Sequence, residues 1–132
     1  MKLPKKVKKL STAKLKKKLD KVFSEYIRRK YSNSNGQVEC YTCGSVKDWK
    51  EMQCGHFVSR VYLGTRFEED NVRVQCVGCN IFGRGKTAIF ASNLETERGG
   101  IVTLLYRQAQ KITKDYPYQE KIEYYQNLIK TL

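Results

Sequence analysis

Two Cys-x-x-C pairs, Cys40/Cys43 and Cys76/Cys79, restrict what this 132-residue chain can fold into more than any other feature. Thiolates two residues apart can occupy two corners of one tetrahedron. The pairs therefore predict a closed structural zinc site with Cys40, Cys43, Cys76 and Cys79 as ligands. Such a site ties two distant segments together and contributes folding free energy. Zinc ribbons usually separate their pairs by roughly 15–20 residues. Here 32 residues, 44 through 75, lie between them, and the single histidine, His56, is among them. The gap leaves room for more than metal binding. The fifth cysteine, Cys54, reads as a small buried apolar residue beside a strand, a spare ligand or a redox-sensitive thiol.

Charge is distributed unevenly. Residues 1–30 hold 13 Lys and Arg against Asp20 and Glu25, a net of +11, whereas the other 102 residues carry 13 basic and 11 acidic side chains, a net of +2. A block of cations at one end predicts a polyanionic partner, nucleic acid first, because each neutralised phosphate releases counterions. A solvated, solubilising tail is the alternative. No run of 18 or more apolar residues exists, so no transmembrane helix and no membrane partner are expected. The basic N-terminus lacks the apolar stretch of a secretory signal. A cytoplasmic setting follows, and there five cysteines favour metal over disulfides.

The pattern along the chain predicts an α+β protein with one folded unit. Residues 1–10 read as a basic flexible arm and residues 11–132 as a single domain. A basic amphipathic helix over residues 11–31, capped at Ser11 or Thr12, carries Leu15, Leu19, Val22, Phe23, Tyr26 and Ile27 on one stripe. Lys14, Lys17, Lys18, Lys21 and Arg28 fall on the other face, and the four lysines are candidate nucleic-acid contacts. Short strands are expected over Val38–Tyr41, within Lys47–Phe57 and over Asn71–Gln75. Trp49 reads as a packing residue, with base stacking as the alternative. Residues 58–70 form a long loop, and long loops inside compact domains are often functional. The core is expected over residues 38–98, helical after Gly85 and stopped by Gly99-Gly100. C-terminal helices fill residues 100–132. The first carries Ile101, Leu104, Leu105 and Ile112, and the second carries Ile122, Tyr125, Leu128 and Ile129, with Tyr116-Pro117 as the break between them.

His56 and Asn71, which lie between the cysteine pairs, and Asn80, which directly follows the last cysteine, resemble the His-Asn-Asn positions of the HNH, or ββα-metal, nuclease superfamily. The phage resolvase endonuclease VII is similar in placing an asparagine after its last knuckle cysteine. The stretches LDKVFSEYIR (19–28), CYTCG (40–44), WKEMQCGHFVSR (49–60), TRFEEDNVRVQC (65–76) and CNIFGRG (79–85) resemble the phage recombination protein family NinG, also called Rap. The likeness runs from about residue 14 to near the C-terminus. It implies a small zinc-stapled ββα-metal core with flanking N-terminal and C-terminal helices. It also implies a metal-dependent endonuclease cutting branched recombination intermediates such as Holliday junctions, in the host cytoplasm. A homodimer would match the two-fold symmetry of a four-way junction, with helix 14–30 and the helices after Gly100 as expected dimer surfaces.

The resemblance assigns His56 as general base, Asn71 as the residue that steadies the loop behind it, and Asn80 as a ligand of a catalytic Mg²⁺ or Mn²⁺. Many HNH nucleases place a metal-binding Asp or His immediately before the base, where this chain has Gly55. The NinG pattern has glycine there too. Water, substrate phosphate or one of Glu68, Glu69 and Asp70 would complete the coordination. Arg60, Arg66, Arg73 and Arg84 are candidate phosphate clamps, Arg60 and Arg84 foremost, with Lys86 a weaker candidate. Two rivals stand beside this reading. One is a non-catalytic zinc module binding DNA or RNA, and the other is a nonspecific or nicking HNH nuclease.

Overall fold

A computed structural model describes residues 10–132; the expected basic arm lies almost wholly outside them. The long N-terminal helix, α1 (Thr12–Lys30), starts where its cap predicts: the Ser11 hydroxyl accepts a hydrogen bond from the Lys14 amide. Its last turn carries Arg28, Arg29 and Lys30, favourable at the negative end of a helix dipole. The apolar stripe is buried at Leu19, Phe23 and Ile27. Burying each such side chain stabilises the fold by about 1.5–3 kcal/mol.

The stripe is covered by the last helix, α5 (Tyr118–Lys130), which buries Tyr118, Ile122 and Tyr125. Phe23 and Tyr125 meet edge to face, with ring centroids 5.1 Å apart. The apolar faces of these two helices, both expected as dimer surfaces, are thus spent largely on each other. Leu104 is half exposed and Ile112 almost fully so, because the intervening helix ends at Ala109 and leaves Ile112 outside it.

Between these helices lie two small antiparallel hairpins. β1 (Gln37–Glu39) pairs with β2 (Val46–Asp48) around the first knuckle. The stretch of residues 47–57, within which a strand is expected, holds the end of β2, a 3-10 turn at Trp49–Glu51 and a further strand. β3 (Gln53–His56) then pairs with β4 (Val72–Gln75), placing Gln53 opposite Gln75, Gly55 opposite Arg73 and His56 opposite Val72. The connection between β3 and β4 is less irregular than its composition suggests, containing a short helix, α2 (Leu63–Arg66), and a 3-10 turn at Glu69–Asn71. After the second knuckle a wide helical turn spans Gly78–Phe82, followed by α3 (Thr87–Glu97) and α4 (Ile101–Ala109).

Two cores result. One joins α1, α5, Val72, Val74, Phe67 and the buried cysteines. The other joins Phe57 and Val58 to Phe90, Leu94, Ile101 and Leu105 of α3 and α4. The β3–β4 connection is held between them, Phe67 in the first and Phe57 in the second. No helix among the described residues is long and apolar enough to cross a membrane.

Candidate metal centre and cleft

The zinc expectation meets its geometry. The sulfurs of Cys40, Cys43, Cys76 and Cys79 all lie within 4.8 Å of one another, and those of Cys43 and Cys76 are 3.7 Å apart. A tetrahedral Zn–S distance of about 2.3 Å requires sulfur pairs about 3.8 Å apart. The surroundings favour thiolates. The Cys76 amide donates to the Cys40 sulfur (3.3 Å) and the Cys79 amide to the Cys76 sulfur (3.4 Å). Hydroxyls of Ser45 and Thr42 sit against Cys43 and Cys40. Burial acts upward on the Cys40 thiol, but the Cys76 amide and the other donors bring it down to about 6. Burial holds Cys79 up at about 12. Such a quartet holds all four sulfurs as thiolates only with a cation at its centre.

The second knuckle continues directly into the cleft. A concave site of about 860 Å³ is lined by Asp20, Arg28, Gln53, Cys54, His56, Arg60, Arg66, Asn80, Ile81 and Arg84, among others. His56 ends β3 and is half-buried. Its Nε2 lies 2.8 Å from the Arg66 carbonyl. A carbonyl only accepts, so Nε2 carries the proton and Nδ1 keeps its lone pair. Burial, with the charges of Arg60 and Arg66, holds His56 below its ordinary value, so the ring is neutral at neutral pH.

Asn71 is fully buried and staples the connection behind His56. Its side-chain oxygen accepts from the Val58 amide (2.8 Å), and its nitrogen donates to the carbonyls of Val58 and Thr65 (both 3.1 Å). All three of these hydrogen bonds go to backbone groups. Asn80, on the helical turn, donates from Nδ2 to Gln53 Oε1 (2.8 Å). With its nitrogen committed, its oxygen is the atom left for a hard cation. Cys54 packs against the first core and also lines the cleft, and burial pushes its thiol up to about 12.

Gly55 has a physical cause. A Cβ built there would stand 2.0 Å from Oε1 of Gln75. That side chain is fully buried, donates to the Thr42 hydroxyl and the Gly85 carbonyl, and crosses the backbone of residue 55. Gln75 thereby braces the first knuckle against the loop after Asn80. Only glycine tolerates its path.

Several expected site residues are already engaged or lie elsewhere. Arg66 is engaged by Asp20, with 2.9 and 2.5 Å contacts, and donates to the Arg60 carbonyl. It shapes the cleft wall and is not free to clamp phosphate. Arg73 pairs with Glu97 at 3.2 Å and bonds the carbonyls of Glu69 and Val72, away from the cleft. Lys86 is exposed and does not line the cleft. The three acids proposed as extra ligands point elsewhere: Glu68 to Gln108, Glu69 to Lys30 and Tyr125, Asp70 to Arg98. Arg60 and Arg84 do line the cleft, exposed. Arg28, expected on the solvent face of α1, turns inward, donates to the Trp49 carbonyl (3.1 Å) and joins them. Lys14, Lys17, Lys18 and Lys21 are exposed on α1, as expected. Trp49 packs partly buried against the first core, with Arg28, Arg29 and Lys50 over its ring.

Asp20, Arg28 and Gln75 escaped the sequence reading. Asp20 carried one signal, as an acid inside a strongly basic helix. Nothing local marked the other two.

The family described as Bacteriophage Lambda NinG protein matches residues 2–132. No curated protein and no solved structure matches the chain.

Proposed function

We propose that this chain, which belongs to the bacteriophage lambda NinG family, is a metal-dependent HNH-type endonuclease that hydrolyses phosphodiester bonds in branched DNA such as Holliday junctions. The observation that carries the reading is His56: a neutral imidazole, its Nε2–H spent on a backbone carbonyl and its Nδ1 uncommitted, in a cleft bordered by arginines. A nonspecific binding surface has no need of such a group. The order of strand, stapled connection, strand and helical turn, with the asparagine directly after the last cysteine, also supports a ββα-metal core.

In this mechanism Nδ1 of His56 takes a proton from a water as its oxygen attacks phosphorus. The Arg66 carbonyl orients the ring and stabilises the imidazolium that forms. Arg60 and Arg84 hold the non-bridging phosphate oxygens, and Arg28, bonded to Ser24 and Trp49, adds positive charge at the cleft wall. Asn71 keeps the connection bearing the Arg66 carbonyl in place. The oxygen of Asn80 would hold Mg²⁺ or Mn²⁺, which supplies charge neutralisation at the phosphate and the leaving oxygen. Asp20, the one carboxylate lining the cleft, is engaged by Arg66. The ion would therefore keep mainly water and phosphate ligands, as Mg²⁺ commonly does.

The test is cleavage of four-way junctions, flaps and linear duplex by the purified protein with Mg²⁺ or Mn²⁺. Junctions cut fastest is the expected result. Linear duplex cut equally fast would reduce the protein to an unselective nuclease. Binding without any cutting would leave a zinc-stabilised DNA-binding module.

A further inference from the structure

The chain has five phenylalanines. Phe23, Phe57, Phe67 and Phe90 are 7 % exposed or less, and Phe82 is 81 % exposed. It sits two residues beyond Asn80, at the end of the Gly78–Phe82 turn. Ile81, 55 % exposed, lines the cleft beside it, and Val77 and Ile89 add exposed apolar surface nearby in the chain.

The turn is not a loose loop. The Gly83 amide donates to the Gly78 carbonyl (2.7 Å), Gly85 to Cys79 (2.9 Å) and Asn80 to Cys76 (2.9 Å). A Cβ at Gly83 would come within 2.9 Å of the Cys79 carbonyl. Both cysteines belong to the zinc quartet, so the metal site fixes where Phe82 stands. The charge near it in the chain is of one sign. Arg84 and Lys86 follow on the same strand of chain, both exposed and both left-handed, and no acidic residue occurs from Gly78 to Leu94.

We infer that Phe82, supported by Ile81, is a wedge that inserts between bases of the bound DNA and makes the site prefer branched or unstacked substrate. This rests on the proposed nuclease reading and supplies its source of selectivity. An aromatic held rigidly in water beside a phosphate-binding cleft can bury itself in a base stack, while the cations beside it hold the flanking phosphates. Fully stacked duplex must be opened to admit it. At the crossover of a junction the strands exchange between arms and stacking is more easily interrupted, so selectivity follows without base-specific hydrogen bonds. A second copy of the chain is a poorer occupant, because a symmetric contact would press Arg84 and Lys86 against their own counterparts.

The experiment uses the full-length zinc-loaded protein with His56→Ala to prevent cutting. It is mixed with a four-way junction carrying 2-aminopurine at the crossover, and with a duplex carrying it internally. The fluorescence should rise on binding the junction, stay low with Phe82→Ala added, and be restored by Phe82→Trp. Phe82→Ala should weaken junction binding about tenfold or more while duplex binding changes less than about twofold. An unchanged signal with Phe82 present would overturn the inference. So would equal weakening on both DNAs, or a shift from dimer to monomer caused by Phe82→Ala. These readouts are of binding. Absence of cleavage by the unmodified protein would sink the nuclease reading alone, and cleavage without the fluorescence rise would sink the wedge alone.

Discussion

The cysteine quartet and the cleft meet in the segment Cys76–Asn80 yet are built on opposite principles. In the quartet every sulfur faces other sulfurs, backbone amides or hydroxyls, and three of the four cysteines are buried. In the cleft the polar groups are half-committed. His56 uses Nε2 and keeps Nδ1, Asn80 uses its nitrogen and keeps its oxygen, and Arg60 and Arg84 face solvent. A closed site stabilises the chain by itself, whereas an open one gains its partners only when a ligand arrives. Stability and chemistry should therefore separate by mutation, although Cys79 and Asn80 are adjacent in the chain.

The largest effect should come from the closed side. Chelating the zinc removes an apparent binding free energy of about 10–16 kcal/mol. The expected outcome is loss of the cooperative melt and of most secondary structure in circular dichroism. A chain that melts unchanged in excess chelator would break the assignment of Cys40, Cys43, Cys76 and Cys79.

A smaller effect tests the brace between the two regions. Gly55→Ala drives a methyl against Gln75, whose amide reaches both Thr42 and Gly85. Destabilisation by about 1–3 kcal/mol is expected in denaturant melts. Gly55→Asp should be no milder and should not tighten Mg²⁺ binding by calorimetry. A stable Gly55→Asp protein with stronger Mg²⁺ affinity would show that residue 55 faces the ion after all.

The smallest effect distinguishes arginines on the open side. Arg60→Gln or Arg84→Gln should lower the slope of log K against log salt by about 0.9 each without changing the melting temperature. Arg66→Gln should instead lower stability, because it leaves the half-buried Asp20 unpaired. The same salt slope for all three variants would erase the distinction drawn between them.

What could be read from the sequence was what local spacing determines. The cysteine pairs, the Ser11 cap, the α1 stripe and the β4 strand each depend on residues a few positions apart, and each is where expected. His56 and Asn80 were legible as neighbours, since the knuckles tie their segments together, and both line the cleft. It was not legible where contacts cross the fold. Asp20 reaches Arg66 over 46 positions, and that single pair removes one expected phosphate clamp. Glu68, Glu69 and Asp70 are close to the knuckle in sequence, but the 3-10 turn at Glu69–Asn71 buries Asn71 and leaves the acids bonding outward. Gly55 looked like a missing ligand until Gln75, from the neighbouring strand, was seen to occupy the space.

The central claim is that His56 acts as a base and not as a structural group, and pH separates these roles. Burial and the nearby arginines hold His56 below about 6.5, its ordinary value. As pH falls through 6.5 the unfolded chain takes up the proton first. The stability contributed by the neutral ring is therefore complete above that pH and declines below it. Cleavage should follow the folded value: flat through neutral pH, with an acid limb of one tenfold step per pH unit lying below 6.5. The decisive measurement is kcat/KM for junction cleavage against pH, for the unmodified protein and for His56→Ala with its zinc content verified. The account predicts that His56→Ala binds junctions as before, cuts them about 10²–10⁴-fold more slowly, and loses the acid limb. Equal cleavage by both proteins, or an acid limb that survives in His56→Ala, would contradict it.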